Sequence, residues 1–179
     1  MKINYELSGV GWMTCGFEAD GISVEFTASY LTDVLADFLK AIGDLRDLFG
    51  EGAIPTKGTG CTWEGEPEQL HWNFRLKDDD LLSIQVDYQE DEGLENSKKC
   101  LVITEVPYDE FVELVINALD KLIKQHGLTG YVEMWHEHQF PLSSFLKLKH
   151  YVLHECPYPI KEGRSTLACD LSLLMKEME

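Results

Sequence analysis

The chain has 179 residues, 44% of them apolar and 11% aromatic, which suits one packed domain and argues against general disorder. Its formal net charge of -17 is unevenly placed: residues 1 to 120 hold 25 acids and 8 bases, whereas residues 121 to 179 hold 7 of each. A surface of that sign repels nucleic-acid phosphate, so DNA or RNA binding is not expected, and a basic protein is the natural complement.

The opening, MKINYELSGVGW, has no long apolar block behind its lysine, and no later run reaches the ~18 apolar residues of a membrane span. A cytoplasmic protein is therefore expected. Ile3, Tyr5 and Leu7 alternate with polar residues, and a second stretch follows from Trp12 to Phe17. Asp20-Gly21 is a favoured two-residue hairpin turn, after which Ile22, Val24, Phe26 and Ala28 alternate with Ser23, Glu25 and Thr27. The expectation is antiparallel strands with one wet face.

From Ser29 the period becomes helical. Leu31, Val34, Leu35, Phe38, Ile42, Leu45 and Phe49 form one stripe, with Ser29 as the N-cap and Gly50 as the stop. The following GEGAIPTKGTG reads as a glycine-rich loop. It is not a phosphate loop, because Lys57 precedes Gly58 and no helical pattern follows.

A second hairpin is predicted from Leu70, Trp72, Phe74 and Leu76, a turn at Asp78 to Asp80, and then Leu82, Ile84, Val86 and Tyr88. After the acidic QEDEGLENSKK, the run CLVIT predicts a central strand covered on both faces. Pro107 opens a helix with acids in its first turn and Lys121, Lys124 and His126 near its end before Gly127, charges that suit the helix dipole. Shorter helices are expected at 129 to 138 and 142 to 154, and a last one through Leu167, Leu171 and Leu174.

Together these elements predict an α+β fold: an antiparallel sheet of six or seven strands with two long amphipathic helices on one face and short C-terminal helices. Strands followed by a helix, read twice, suggest an internal repeat. Residues 1-156 are expected to form one α+β domain, with 157-179 as an extension that is either a short helix or frayed.

The five cysteines are odd in number, scattered and never paired as C-x-x-C, so they are expected to be reduced thiols. Four of the six histidines fall between residues 131 and 156. His136 and His138 would point to opposite sides of a helix, whereas His150 and His154 share a face at the spacing by which helices present imidazoles to zinc. Cys156, Glu155 or His138 would have to complete such a site. Against it, Tyr151 stands where a zincin has glutamate, and HEC lacks the following P-C-x-x-C of the deaminases. Zinc is thus the alternative and no cofactor the leading expectation.

Carboxylates are too abundant for any pair to imply acid-base catalysis. No G-x-S-x-G elbow, dinucleotide fingerprint or calcium-loop spacing is present. Trp12, Trp63, Trp72 and Trp135 read as core or sheet-face residues.

The segments ASYLTDVLADFLKAI, EGEPEQLHWNF and YVEMWHEHQFP resemble those of a family of small acidic bacterial proteins of unassigned function. The similarity spans residues 12 to 145 and implies a fold, carrying over neither a catalytic residue nor a substrate. The resulting expectation is a non-enzymatic protein-binding protein, of the immunity type, that presents Asp78, Asp79, Asp80, Glu90, Asp91 and Glu92 to a basic partner. The alternative is a metal-binding protein or metal-dependent enzyme using His150, His154 and His138.

Overall fold

A computed structural model describes residues 1–49, 57–91, 97–136, 138–159 and 166–178. Its first three strands, β1 (Lys2–Gly9), β2 (Trp12–Ala19) and β3 (Ile22–Ser29), form an antiparallel meander. The Asp20-Gly21 turn joins β2 to β3 as expected. Ala19 pairs with Ile22, and both turn residues adopt positive φ, 51° and 77°, which the aspartate tolerates and the glycine takes freely. Tyr5, Leu7, Met13, Cys15, Phe17, Val24, Phe26 and Ala28 are buried, so the alternating residues do define the inner face.

Helix α1 (Val34–Asp44) starts later than the periodicity implies. Ser29 is the last residue of β3, paired with Trp12, and Asp33 is the cap, its Oδ1 accepting from the Ala36 amide at 3.3 Å. Strand pairing outcompetes capping at Ser29, and Leu31, left in the connecting turn, is 58% exposed. The expected stop at Gly50 lies outside the described residues.

Four more strands follow: β4 (Gly58–Glu64), β5 (Gln69–Leu76), β6 (Leu81–Gln89) and β7 (Lys99–Pro107), in that spatial order and all antiparallel. The β5–β6 register is the predicted one, with Leu76 opposite Leu82, Phe74 opposite Ile84 and Trp72 opposite Val86. The glycines of β4 hide its alternation, so its first residues, Gly58 to Gly60, fall within the expected glycine-rich loop. A Cβ at Gly60 would collide with the Trp72 carbonyl oxygen, so the glycine is what lets these strands approach. Strand β7 is not central. It is an edge strand whose outer residues are open, Ile103 being 63% exposed.

The seven strands therefore make two sheets, of three and four strands, rather than one. Each meander has a single apolar face, and the two faces bury each other together with the helices. Phe17 meets Trp72 with ring centroids 5.2 Å apart, and Tyr5 meets Trp63 at 6.2 Å. Phe38 of α1 stands at the centre of this cluster, touching Tyr5, Trp63, Trp72, Phe74 and the Phe111 ring. Three strands precede the first helix and four the second, so element order by itself does not establish a duplication.

Helix α2 (Tyr108–Trp135) contains the break predicted at Gly127, where φ is 68° and ψ 171°. It lies along β1 and against α3 (Leu142–His154). The last helix, α4 (Leu167–Met175), is present, and of its expected apolar stripe Leu174 packs partly against the core while the rest is turned outward. Leu167 and Leu171 are exposed and Leu173 is its buried residue. Polar contacts hold the end of α4 in place: the Lys149 ammonium, wholly buried, bonds both Asp120 Oδ1 and the Lys176 carbonyl at 2.6 Å. None of the described helices is long and apolar enough to cross a membrane.

Candidate functional site

The described acids among the six expected to meet a partner fall at two separate places. Asp78, Asp79 and Asp80 occupy the β5–β6 turn, whereas Glu90 and Asp91 follow the far end of β6, and Glu92 lies outside the described residues. Nine residues of strand at about 3.3 Å each separate the two groups by roughly 30 Å. The turn acids are also engaged already. Asp78 pairs with Lys57, Asp79 accepts from the Leu81 amide, and Asp80 pairs with Arg46 at 3.0 Å. Arg46 in turn binds Asp109 at 2.9 Å, donates to the Tyr151 hydroxyl oxygen and lies 4.3 Å over the Tyr108 ring. That cluster ties the end of α1 to the starts of β6 and α2, a structural use of its charges.

At the other end the two sheets meet along a seam. The β4–β5 turn brings Gly65 and Glu68 against β3, where a side chain at Gly65 would strike the Phe26 ring. Strand alternation there turns Glu25 and Thr27 outward, and Trp12 stands beside them because it pairs with Ser29. Tyr88, at the end of β6, completes a cleft of about 270 Å³. Its aromatic walls are Trp12 and Tyr88, both half-buried, and its carboxylates are Glu25 and Glu68.

Partial burial, followed by the charges of Glu68 and Glu90, raises the Tyr88 pKa, so the ring stays a neutral phenol. Glu25, Glu68 and Glu90 make no ion pair within the described residues. Two π faces thus lie beside carboxylates that have no counter-charge among the described residues, a combination that attracts cations. Of these residues Glu90 alone is among the expected partner contacts. Trp12, Glu25, Glu68 and Tyr88 are spread over 77 positions, and only sheet packing assembles them. The one available signal was the density of acids in WEGEPEQ beside alternating strands.

The histidines serve separate places. His138 Nε2 lies 2.8 Å from the Tyr30 carbonyl and its Nδ1 3.7 Å from Asp33, at the start of α1. His150 and His154 do share a helix face, with ring centroids 4.5 Å apart. His150 Nδ1 is bonded to the Cys156 carbonyl at 3.1 Å, and His150, His154, Tyr158 and Cys169 line a cavity of about 380 Å³. Burial first, opposed by that carbonyl and aided by His154, lowers the His150 pKa. Among the described residues no three His, Cys, Asp or Glu side chains are grouped to hold a metal ion. His138 does not join the other two.

Cys15 and Cys61 are thiols whose pKa burial pushes far up, which makes both poor nucleophiles. On the outer face of the four-stranded sheet Asp87 is buried, but it accepts from Asn73 at 3.2 Å and Gln85 at 2.9 Å and lies 3.5 Å from Lys98. It is a satisfied sheet residue.

Fold and cleft together define an α+β protein of two antiparallel meanders around one aromatic core, with an acidic, aromatic-walled cleft at their seam. Comparison with family models, characterised proteins and solved structures gave no match.

Proposed function

We propose that this chain is a protein-binding protein that receives lysine or arginine side chains of a basic partner in the cleft of Trp12, Glu25, Glu68 and Tyr88. The observation that carries this reading is the contrast between the two acidic ends. At the β5–β6 turn the charges are used internally; at the seam Glu25 and Glu68, without ion pairs among the described residues, lie beside half-buried aromatic rings, and the charge of Glu90 also acts on Tyr88. The excess acidity of residues 1 to 120 adds long-range attraction, so association is fast and weakens with salt. A cytoplasmic bacterial protein of the immunity type, capturing a basic toxin, fits this chemistry and the resemblance of its three segments to small acidic bacterial proteins.

The test is titration of the full chain with a short arginine-rich peptide, followed by tryptophan fluorescence. Losing three exposed charge contacts at ~0.5–1 kcal/mol each should weaken binding by roughly tenfold or more in the Glu25→Gln, Glu68→Gln, Glu90→Gln variant. Neutralising Asp78 to Asp80 should cost less. Equal losses in the two variants, or binding that survives about 1 M salt, where the Debye length is about 3 Å, would overturn the assignment.

A further inference from the structure

Two histidines that the seam cleft does not use stand side by side at the end of α3. Four residues apart on a helix, His150 and His154 fall on one face, with ring centroids 4.5 Å apart. Nitrogens that ligate one ion lie about 2.0–2.1 Å from it, and an imidazole centre lies about 1.1 Å beyond its nitrogen. Two rings on one ion, at an angle between a right angle and a tetrahedral one, therefore have centres about 4.5–5 Å apart. The pair already stands at that separation.

The local chain path also fixes which nitrogen of His150 carries the lone pair. Glu155 takes left-handed backbone, φ 53° and ψ 28°, and its amide donates to the Tyr151 carbonyl at 2.8 Å, ending the helix. That turn brings the Cys156 carbonyl back to His150 Nδ1 at 3.1 Å. A carbonyl oxygen can only accept, so Nδ1 holds the proton and, in the neutral ring, Nε2 holds the lone pair. Metal-ligating histidines are oriented in this way by backbone carbonyls. Tyr158 packs edge-on against His150 with centroids 5.2 Å apart, and its hydroxyl donates to Asp170 Oδ1 of α4 at 2.7 Å, which holds the ring's neighbour in place. Burial, the main cause of the lowered His150 pKa, favours the neutral form that can ligate. The pair lies in the last turns of α3, where the helix dipole favours a cation.

We propose that His150 and His154 bind one divalent transition-metal ion of the copper–zinc class, His150 through Nε2. Imidazole suits such ions, whereas magnesium and calcium take oxygen ligands. Among the described residues no third His, Cys, Asp or Glu is grouped with the pair, and His154 is exposed, so water takes the remaining positions. Two protein ligands and open positions make this an exchangeable site and not a closed structural one. It uses none of the residues of the seam cleft, so it stands or falls independently of the function proposed above.

The test is titration of the untagged full chain, stripped of metal by a chelator and dialysed, with Zn²⁺ and with Cu²⁺, and with Mg²⁺ as control. Calorimetry should show a site for both transition ions, tighter for Cu²⁺, and none for Mg²⁺. His150→Ala or His154→Ala should each weaken it about tenfold or more, while His71→Gln, whose parent ring is held between Thr62 and Gln89, should leave it unchanged. Ring ¹⁵N spectra should show the His150 and His154 signals moving together with Zn²⁺, with Nε2 the shifted nitrogen of His150, a change that binding to cysteine thiols does not produce. Circular dichroism establishes that the variants are folded. Unchanged affinity in either folded alanine variant, or ring signals of the pair that stay in place at saturating Zn²⁺, would overturn the proposal.

Discussion

Replacing Lys149 by methionine removes an ammonium from a wholly buried position while keeping most of its aliphatic packing. Two charge-assisted bonds disappear, one to Asp120 and one to the Lys176 carbonyl, each 2.6 Å long. Asp120, itself buried, keeps Lys124 at 2.8 Å, so its carboxylate is not left alone. Breaking a buried pair costs about 3–5 kcal/mol, and the remaining lysine places the expected loss near the lower end, about 3 kcal/mol. Against a total stability on the order of 5–15 kcal/mol for a domain, that is a large fraction.

Urea unfolding followed by tryptophan fluorescence measures the loss. Hydrogen exchange then localises it, with amides of residues 167 to 175 losing most protection because Leu173 is the buried residue of α4. Adding Asp120→Leu to Lys149→Met should recover much of the stability, since both buried charges are then gone. A Lys149→Met protein within about 0.5 kcal/mol of the parent, a range typical of surface substitutions, would refute this account, as would unchanged α4 protection.

Phe38→Ala should cost about 3–5 kcal/mol, because the ring touches five other aromatics and has no exposure; a urea midpoint shifted by less than about 1 kcal/mol would mean the core does not depend on it. The His150 pKa lies below its ordinary 6.5, so the unfolded chain takes up that proton first and folding loses stability as pH falls below 6.5. His150→Gln should flatten that part of the pH–stability curve measured by thermal unfolding, and an unchanged slope would sink the assignment. Native alkylation mapped by mass spectrometry should label Cys156 and Cys169 first, then Cys100, whose pKa is raised by desolvation and by Asp87, then slowly the half-buried Cys61 with its raised pKa, and should reach buried Cys15 only on unfolding.

Alternation and turn chemistry made β5, β6 and the Asp20-Gly21 hairpin legible, because the inner face of a half-buried strand must be apolar every second residue. The same logic failed at β4, where glycines at 58 and 60 carry no side chain to alternate. It also misread CLVIT, since a short apolar run does not say whether one face or both are covered. Helix existence followed from periodicity at α1 and α3, while the true cap Asp33 was hidden because Ser29, equally good in isolation, was claimed by strand pairing.

What the sequence determined by itself was local: which residues can face a core, where the chain must turn, and the acidic balance that makes a cationic partner the expected one. Tertiary structure decided everything that depends on distance. It separated the strands into two sheets, neutralised Asp78 and Asp80 with Lys57 and Arg46, and placed Trp12, Glu25, Glu68 and Tyr88 around one cleft. The physical reason is that a charge or an aromatic ring becomes a binding group only when its neighbours leave it unpaired, and those neighbours are brought together by packing across the whole chain.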